Sequence, residues 1–268
     1  MDLTDTTPTV LCVGGHDPSG GAGIMADAEA VRAAGAFALT VVTTLTDQDT
    51  RGVRALYAQP PEQVDAQCRA LMEDGRPRAL KIGLVGSSRI ARVLAALIDA
   101  NPQLPVVLDP VLASGAGQAV VDAALLNQLR SHLVRRATLV TPNVPEARLL
   151  ADCQDPARCA RRLMEFGARW VLITGTHDDT QEVTNRLYAS DGAEKAWTWP
   201  RLPGEYHGSG CTLASAIAAR LATGSDMESA VAAAQSYTWT SLSQSLRTGL
   251  GQLTPNRLFS LPTTESTT

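Results

Sequence analysis

The sequence predicts an α/β fold with a mostly parallel central sheet and helices on both of its faces. Short runs of β-branched residues alternate with amphipathic segments that are rich in alanine and leucine. Runs such as "VVL" and "VLI" are apolar without alternation, which indicates strands that are buried on both faces of a sheet. Strands and helices in regular succession form parallel sheets covered by helices.

The predicted strands are apolar, β-branched runs that end at glycine, proline or polar residues. In chain order they are "TVLCVG", "ALTVVTTL", "ALKIG", "PVVLDP", "ATLVTP" and "WVLIT". The predicted helices are "GIMADAEAVRAA", "PEQVDAQCRALMED", "SRIARVLAALIDA", "DAALLNQLRSHLV", "VPEARLLA" and "PARCARRLMEFG". "NRLYAS" and "KAWTWP" are predicted to form a hairpin or edge pair, and two helices at about 211–222 and 227–245 follow them.

Composition limits the classes of function. The 268 residues carry a formal net charge of -4, and we expect one domain over 1–268 with a polar tail from about residue 260. Without basic clusters, nucleic acid is not expected as the main partner. No apolar run reaches the roughly 18 residues of a membrane span, and the first ten residues lack the regions of a signal peptide.

Polar and glycine-rich stretches follow the predicted strands, where parallel α/β sheets bind ligands. "GGHDPSGGAGIMAD" is neither a P-loop nor a GxGxxG motif, but its glycines let the backbone approach a ligand closely. Asp17 alone could cap the following helix, whereas Asp27 is the better candidate for contact with a ligand. Gln48 is predicted in a loop, and its amide offers the donor and acceptor that match an aminopyrimidine.

Carboxylate and amide side chains end two further strands. Asp109 in "LDP", and Asn143 and Glu146 in "TPNVPE", supply oxygen atoms. Nucleotide-bound Mg²⁺ is typically held by one or two carboxylates with water and phosphate oxygens. Glu146 has an equally good structural explanation, because the helix dipole favours a glutamate in the first turn. The residues alone leave both explanations open.

The segment "HGSGCTLAS" puts Cys211 behind two glycines at the start of a predicted helix. A disulfide partner, a small buried residue and a reactive thiol are the three explanations, and the scattered, odd number of cysteines argues against the first. Free N–H groups at a helix start form an anion site, and the helix N-terminus is expected to lower the pKa of Cys211. His207 could orient a ligand or donate to phosphate, although a lone histidine is more often structural.

Together these motifs resemble the ribokinase-like superfamily and, within it, the hydroxymethylpyrimidine/phosphomethylpyrimidine kinases of thiamine biosynthesis. "DPSGGAGIMAD", "LTDQDTRGV", "KIGLVG", "VVLDPV", "TPNVPEA" and "HGSGCTLASAIAA" match in order and spacing from about residue 10 to residue 245. Most ribokinase relatives carry aspartate where Cys211 stands, so the cysteine makes the resemblance to this one family specific. The resemblance implies a ribokinase-like fold and the phosphorylation of 4-amino-5-hydroxymethyl-2-methylpyrimidine and/or its monophosphate to the diphosphate. It also implies ATP and Mg²⁺ as cosubstrates, a homodimer and a cytoplasmic setting.

The resemblance also assigns roles to residues by position. The pyrimidine pocket would be lined by Gly15, Ala22, Asp27, Gln48 and Leu84. The nucleotide would contact Asn143, Thr174 and Gly175, and the metal would be held by Asp109 and Glu146. The anion hole would consist of Gly208, Ser209, Gly210 and Cys211, with Cys211 as the general base.

The chain departs from the family pattern at several positions. Thr174 replaces a lysine that is usual near the nucleotide phosphates, "ASGAG" stands where Ala-Lys-Ser-Gly is frequent, Asn185 stands where aspartate is common, and Ser209 replaces threonine. Losing basic groups weakens phosphate neutralisation but leaves the base and the anion hole in place.

Two other functions stay open on the sequence. One is a pyridoxine/pyridoxal kinase, because some relatives with this cysteine phosphorylate B6 vitamers, although Gln48 favours a pyrimidine. The other is a non-catalytic sensor of pyrimidine phosphates, against which the intact Cys211, Glu146 and Asp109 argue.

Overall fold

The structure is a computed structural model that describes residues 7–113, 120–176 and 180–261. Its strands are β1 (Thr9–His16), β2 (Phe37–Asp49), β3 (Gly52–Ala58), β4 (Ala79–Ile82), β5 (Val106–Leu108), β6 (Leu139–Val140), β7 (Trp170–Ile173), β8 (Glu182–Ala189) and β9 (Glu194–Pro200). Its helices are α1 (Gly23–Ala33), α2 (Pro61–Gly75), α3 (Ser88–Asp99), α4 (Ala123–Gln128), α5 (Val144–Ala151), α6 (Pro156–Glu165), α7 (Ser209–Ala222) and α8 (Met227–Ser243). None of these helices has the length and apolarity of a membrane span.

The described strands form one sheet in the order β3-β2-β1-β4-β5-β6-β7-β8-β9. The strands from β2 to β7 in this order run parallel, whereas β3, β8 and β9 pair antiparallel with their neighbours. The predicted mostly parallel sheet is confirmed. The predicted hairpin of "NRLYAS" and "KAWTWP" is the pair formed by β8 and β9.

Helices cover both faces of the sheet, because successive residues of a strand point to opposite sides. On β1, Val10 and Cys12 pack with α1, α7 and α8, whereas Leu11 and Val13 pack with the helices from α2 to α6. All four side chains are fully buried. Burial from two sides explains why these strands are apolar without alternation.

The sequence prediction is wrong at one edge of the sheet. It ends the second strand near Leu45 and puts Gln48 in a loop, whereas β2 continues to Asp49 and pairs there with β3. All β3 side chains are exposed or half-buried, so this strand lacks the apolar pattern that marks a buried face. The predicted helix "DAALLNQLRSHLV" is also divided, into α4, a π turn (Leu129–Leu133) and a 3-10 turn (Val134–Arg136).

The direction in which the chain moves across the sheet reverses beside β1. From β1 it goes to β2 on one side, and after β3 it returns to β4 on the other side. Such a switch point leaves a crevice beyond the carboxyl ends of the strands, where open α/β sheets bind ligands. The segments that follow β1, β4 and β5 are therefore placed to form a site with α7.

Candidate active site

The N-terminus of α7 presents backbone N–H groups to the crevice. Gly208 is its N-cap with φ 87°, a conformation that favours glycine. A Cβ at Gly208 would lie 1.9 Å from the carbonyl oxygen of Gly21, so the glycine-rich loop after β1 packs directly on this end of α7. Thr212 N–H donates to the Gly208 carbonyl at 3.0 Å as the first bond of the helix. Helix geometry thus leaves the N–H groups of residues 209–211 available to an anion.

Cys211 lies in the first turn of α7 among charged side chains. Its charged neighbours are Lys81, Asp109 and Asp27, all of which influence the thiol. The residue keeps partial exposure, but burial of the thiol among protein atoms raises its pKa to about 12. The Lys81 charge opposes this rise, whereas the Asp109 and Asp27 carboxylates add to it. The predicted lowering of the Cys211 pKa is therefore wrong, because desolvation outweighs the helix N-terminus.

Lys81 on β4 supplies a buried positive charge next to this thiol. Its Nζ donates to Asp27 Oδ1 at 2.7 Å and lies 3.8 Å from Asp109 Oδ2. Burial by itself would lower the pKa of Lys81, but the carboxylates of Asp27 and Asp109 raise it above its ordinary value. Ser215 on α7 donates to the same Asp27 oxygen at 2.8 Å. Contact between Asp27 and a substrate stays a prediction, because this carboxylate is fully buried and bound to Lys81.

Asp109 and Glu146 lie close enough for the charge of one to affect the other. Glu146 forms a capping box with Asn143: Glu146 N–H donates to Asn143 Oδ1 at 2.9 Å, and Asn143 N–H donates to Glu146 Oε2 at 3.0 Å. Leu112 N–H donates to Glu146 Oε1 at 3.3 Å. Burial and the neighbouring Asp109 raise the pKa of Glu146 to about 8. The structural explanation of Glu146 as a helix-start residue thus holds, without excluding a further role.

This carboxylate pair fits a Mg²⁺ ion by the chemistry of its oxygen atoms. Asp109 Oδ2 is buried and has no hydrogen-bond partner among the described residues, and Lys81 Nζ lies 3.8 Å from it, so a lone pair of this oxygen stays available to a metal ion. Both Glu146 oxygens already accept backbone N–H groups, which suits Glu146 to a water ligand of the ion. The described ranges contain no group of three or more histidine, cysteine or acidic residues that could hold a metal. Phosphate oxygens would therefore have to complete its coordination.

The predicted pyrimidine residues lie around the glycine-rich loop. A Cβ at Gly15 would lie 3.0 Å from Leu84 Cδ2, so these two residues are in contact. Ala22, the N-cap of α1, makes no side-chain cap bond, and its N–H donates instead to Asp17 Oδ2 at 2.9 Å. Asp17 also accepts from Ser19 N–H at 2.9 Å. Asp17 therefore orders the loop rather than capping α1 from the N-cap position.

Gln48 belongs to a short chain of polar side chains. Its amide nitrogen lies 2.7 Å from His207 Nε2, and the same ring nitrogen lies 2.8 Å from Asp17 Oδ2. Burial opposes ionisation of Asp17, but hydrogen bonds from His207 and Ser19 outweigh it and lower the Asp17 pKa to about 2. An ionised carboxylate only accepts hydrogen bonds, so His207 Nε2 donates its proton to Asp17. Because His207 Nε2 then carries the proton, it cannot also accept from the Gln48 amide nitrogen. The two side chains are therefore in contact at the site, but this contact is not a hydrogen bond.

A cavity of about 400 Å³ opens beside Gln48. Its walls are the glycine-rich loop at Ser19, the turn between β2 and β3 at Thr50, and the C-terminal segment at Gly249 and Leu250. Of the five residues predicted to line the pyrimidine pocket, Gln48 is the one among the residues that border this cavity. The cavity places Gln48 at a surface where a ligand can reach it.

The predicted nucleotide residues meet beyond β6 and β7. Asn143 and Thr174 form an isolated parallel bridge between the two strand ends. Gly175 N–H donates to Asn185 Oδ1 at 3.1 Å, and Asn185 Nδ2 donates to Gln235 Oε1 at 2.8 Å. Asn185, where the family often has aspartate, therefore supports the backbone next to Thr174. Residues 114–119, which include most of "ASGAG", and residues 177–179 after "TGT" lie outside the described residues.

Sequence analysis missed two buried cations that border the site. Lys81 had a signal, since a lysine inside the apolar run "ALKIG" has to be paired if the strand is buried. Arg257 lies in the segment after α8, is 2% exposed and contacts both the glycine-rich loop and α7. No local pattern in its sequence neighbourhood indicates this burial.

Comparison with known proteins identifies the family of the chain. A family model described as phosphomethylpyrimidine kinase matches residues 17–256. The hydroxymethylpyrimidine/phosphomethylpyrimidine kinase of Streptomyces coelicolor is 39% identical over 239 residues, which cover 87% of this chain and 87% of that protein. A solved phosphomethylpyrimidine kinase from Clostridium difficile has a TM-score of 0.77 at 30% identity, covering 88% of this chain and 100% of the other.

A more distant structure shares the fold. The pyridoxal kinase from Staphylococcus aureus, solved with AMP-PCP and pyridoxal, has a TM-score of 0.85 at 24% identity and covers 94% of this chain and 95% of the other. At this identity the likeness confirms the predicted ribokinase-like fold and nothing finer. The family match and the sequence identity to the Streptomyces coelicolor enzyme together show that the chain belongs to the phosphomethylpyrimidine kinase family.

Proposed function

We propose that the chain transfers a phosphoryl group from ATP to 4-amino-5-hydroxymethyl-2-methylpyrimidine and to its monophosphate, forming the diphosphate for thiamine biosynthesis. The observation that carries the proposal is the free N-terminus of α7 beside the buried charges of Asp27, Lys81 and Asp109. Phosphoryl transfer depends on positioning and on charge stabilisation more than on covalent chemistry by the protein. A backbone anion site next to fixed charges supplies both.

In this proposal each group has one task. The N–H groups of residues 209–211 bind the phosphoryl group in transfer, and Gln48 binds the aminopyrimidine edge. Cys211 accepts the proton of the hydroxymethyl group. Because burial raises the pKa of this thiol, the thiol must first lose its own proton to solvent, which the positive charge of Lys81 favours.

Magnesium, a homodimeric assembly and a cytoplasmic location are parts of the same proposal that the family resemblance supports. Bound Mg²⁺ would supply positive charge to the phosphate oxygens, which matters more here because Thr174 replaces a lysine. Asp109 would bind the ion, and Glu146 would bind one of its waters. Sedimentation of the purified chain tests the dimer independently of catalysis.

Two alternatives are separated by one experiment. ATP consumption is measured with the pyrimidine alcohol, its monophosphate and pyridoxal, each offered alone to the purified protein. We expect turnover with both pyrimidines and a much lower kcat/KM with pyridoxal. Turnover confined to pyridoxal would instead establish a B6 vitamer kinase. Pyrimidine phosphate binding by calorimetry without any ATP consumption would establish a sensor.

Gln48→Ala is expected to weaken pyrimidine binding selectively. The substitution leaves a buried polar edge of the ring without its partner, which costs roughly 1–3 kcal/mol, while His207 keeps its bond to Asp17. KM for the pyrimidine should rise and KM for ATP should stay unchanged. Gln59→Ala is the control, since this glutamine lies after β3 and donates to the Tyr57 carbonyl. A rise confined to the KM for ATP would remove Gln48 from the pyrimidine site.

Glu146→Gln is expected to change the Mg²⁺ dependence of the reaction. Burial and Asp109 raise the pKa of Glu146 to about 8, and the positive charge of bound Mg²⁺ would favour its ionised form. Glutamine keeps the shape but cannot ionise to order a water ligand of the ion, and such outer-shell changes typically cost about 10–100-fold. kcat should fall, and the Mg²⁺ concentration for half-maximal rate should rise. Glu228→Gln in the first turn of α8 is the matched control. A near-normal rate with unchanged Mg²⁺ dependence would leave Glu146 with its capping role alone.

A further inference from the structure

Arg257 is a buried cation whose guanidinium joins segments that are far apart in the sequence. It lies in the segment after α8, and its bonding partners are 45 to 237 residues away along the chain. Its Nε donates to Thr212 Oγ1 at 2.8 Å, and its Nη1 donates to the Gly20 carbonyl at 3.3 Å. Its Nη2 donates to the carbonyl of Gly21. One side chain therefore binds both α7 and the glycine-rich loop.

The two segments that Arg257 joins are the two sides of the candidate active site. Thr212 ends the first turn of α7, and its hydroxyl donates to the Gly208 carbonyl at 2.8 Å. The Gly21 carbonyl that accepts from Arg257 also packs against Gly208, where a Cβ would lie 1.9 Å from the carbonyl and 2.8 Å from Nη2. The guanidinium thus lies where the loop that carries Ala22 contacts the N-terminus of α7, which would form the anion hole.

Packing alone is a poor explanation for a guanidinium at this place. Burying a charge is costly, and its one carboxylate partner in the part of the chain that the structure describes, Glu29 at 3.1 Å from Nη1, is 37% exposed. The other described acceptors are two carbonyls and a hydroxyl, which a planar guanidinium can bind together because its five donors are fixed in direction. A lysine would carry the same charge without that geometry.

We propose that Arg257 is a positioning residue that holds the glycine-rich loop in register with the N-terminus of α7, so that the substrate hydroxyl meets the phosphoryl group. This inference rests on the proposed function, since the loop would bind the pyrimidine and α7 the transferred phosphate. Transfer needs both reactants aligned, and a displacement of about 1 Å can cost about 100-fold in rate.

If the loop and α7 lose this alignment, the products of the reaction change, whereas a loss of stability alone leaves the ratio of products unchanged. When the hydroxyl is displaced, water can attack the phosphoryl group instead. The bond between the γ-phosphorus and the bridging oxygen still breaks and ADP leaves, but the new P–O bond forms to water, and inorganic phosphate and a proton are released. The ratio of inorganic phosphate to phosphorylated pyrimidine therefore reports alignment.

The test measures that ratio for Arg257→Lys with ATP, Mg²⁺ and the pyrimidine alcohol, together with kcat, both KM values and the urea midpoint. We expect kcat for transfer to fall about 100-fold, the KM for ATP to stay constant, and the phosphate ratio to rise at least tenfold. Glu29→Gln removes only the salt bridge, and Tyr237→Phe removes only a 2.8 Å bond to the Arg257 carbonyl. Both controls should keep the ratio of the parent protein.

A second pair of variants covers the case in which Arg257→Lys does not fold. Thr212→Val removes the hydroxyl that accepts from Nε, and Thr212→Ser keeps it. We expect the ratio to rise in the valine variant and to stay normal in the serine variant. An unchanged ratio in folded Arg257→Lys or in Thr212→Val would overturn the inference, as would an equal rise in both controls. If the parent protein phosphorylates no pyrimidine, the proposed function fails instead, and the ratio is then measured with the alcohol that it does phosphorylate.

Discussion

Replacing Cys211 with alanine is expected to slow phosphorylation of the pyrimidine alcohol by about 10²–10⁴-fold and that of the monophosphate much less. An alcohol is a weak nucleophile until a base takes its proton. A phosphate monoester, with a second pKa of about 6, is already ionised at neutral pH. The second phosphorylation therefore needs only the anion hole, whose donors are backbone N–H groups that the substitution leaves in place.

The measurement is kcat/KM of the purified variant for each substrate alone. Cys153→Ala is a suitable control, because this partly exposed cysteine is free and follows α5, away from α7. Equal losses for the two substrates would mean that Cys211 shapes the anion hole without moving a proton. Unchanged rates for both would make it a small packing residue.

Replacing Lys81 with methionine is expected to destabilise the protein by about 3–5 kcal/mol, as the removal of one partner from a buried ion pair typically does. Methionine fills a similar volume but leaves the Asp27 and Asp109 carboxylates buried without their cation. Combining Lys81→Met with Asp27→Asn should recover part of this loss, because the buried charge is then reduced on both sides. The variant should also lose activity, since Lys81 is the cation next to Cys211.

Urea unfolding of the single and double variants measures these effects, with kcat recorded on the folded fraction. Lys195→Met is the control: Lys195 and Glu228 form an exposed pair at 2.7 Å, and such pairs contribute about 0–1 kcal/mol. A loss for Lys81→Met as small as that of the control would show that the buried carboxylates do not depend on it. A double variant less stable than the single one would show that Asp27 has a stabilising role of its own.

The strands buried on both faces could be predicted from sequence, because two-sided burial demands the unbroken apolar runs seen at "VVL" and "VLI". Strand β3 could not be predicted from sequence, because an edge strand with exposed side chains does not need an unbroken apolar run. The division of the chain into one domain, and the roles of the individual site residues, stay predictions. Their grouping at one end of the sheet agrees with the rule that ligands bind beyond the carboxyl ends of parallel strands.

The sequence by itself determined the order of the buried strands and of the helices between them, the polar residues at the strand ends and the family. Only the tertiary structure decided that the Cys211 thiol has a raised pKa, that Gln48 lies beside His207, and which groups pair with Lys81. It also decided that Arg257 joins the loop to α7. The physical reason is that a pKa and a hydrogen-bond partner depend on burial and on neighbours in space. Here those neighbours come from segments as much as 237 residues apart.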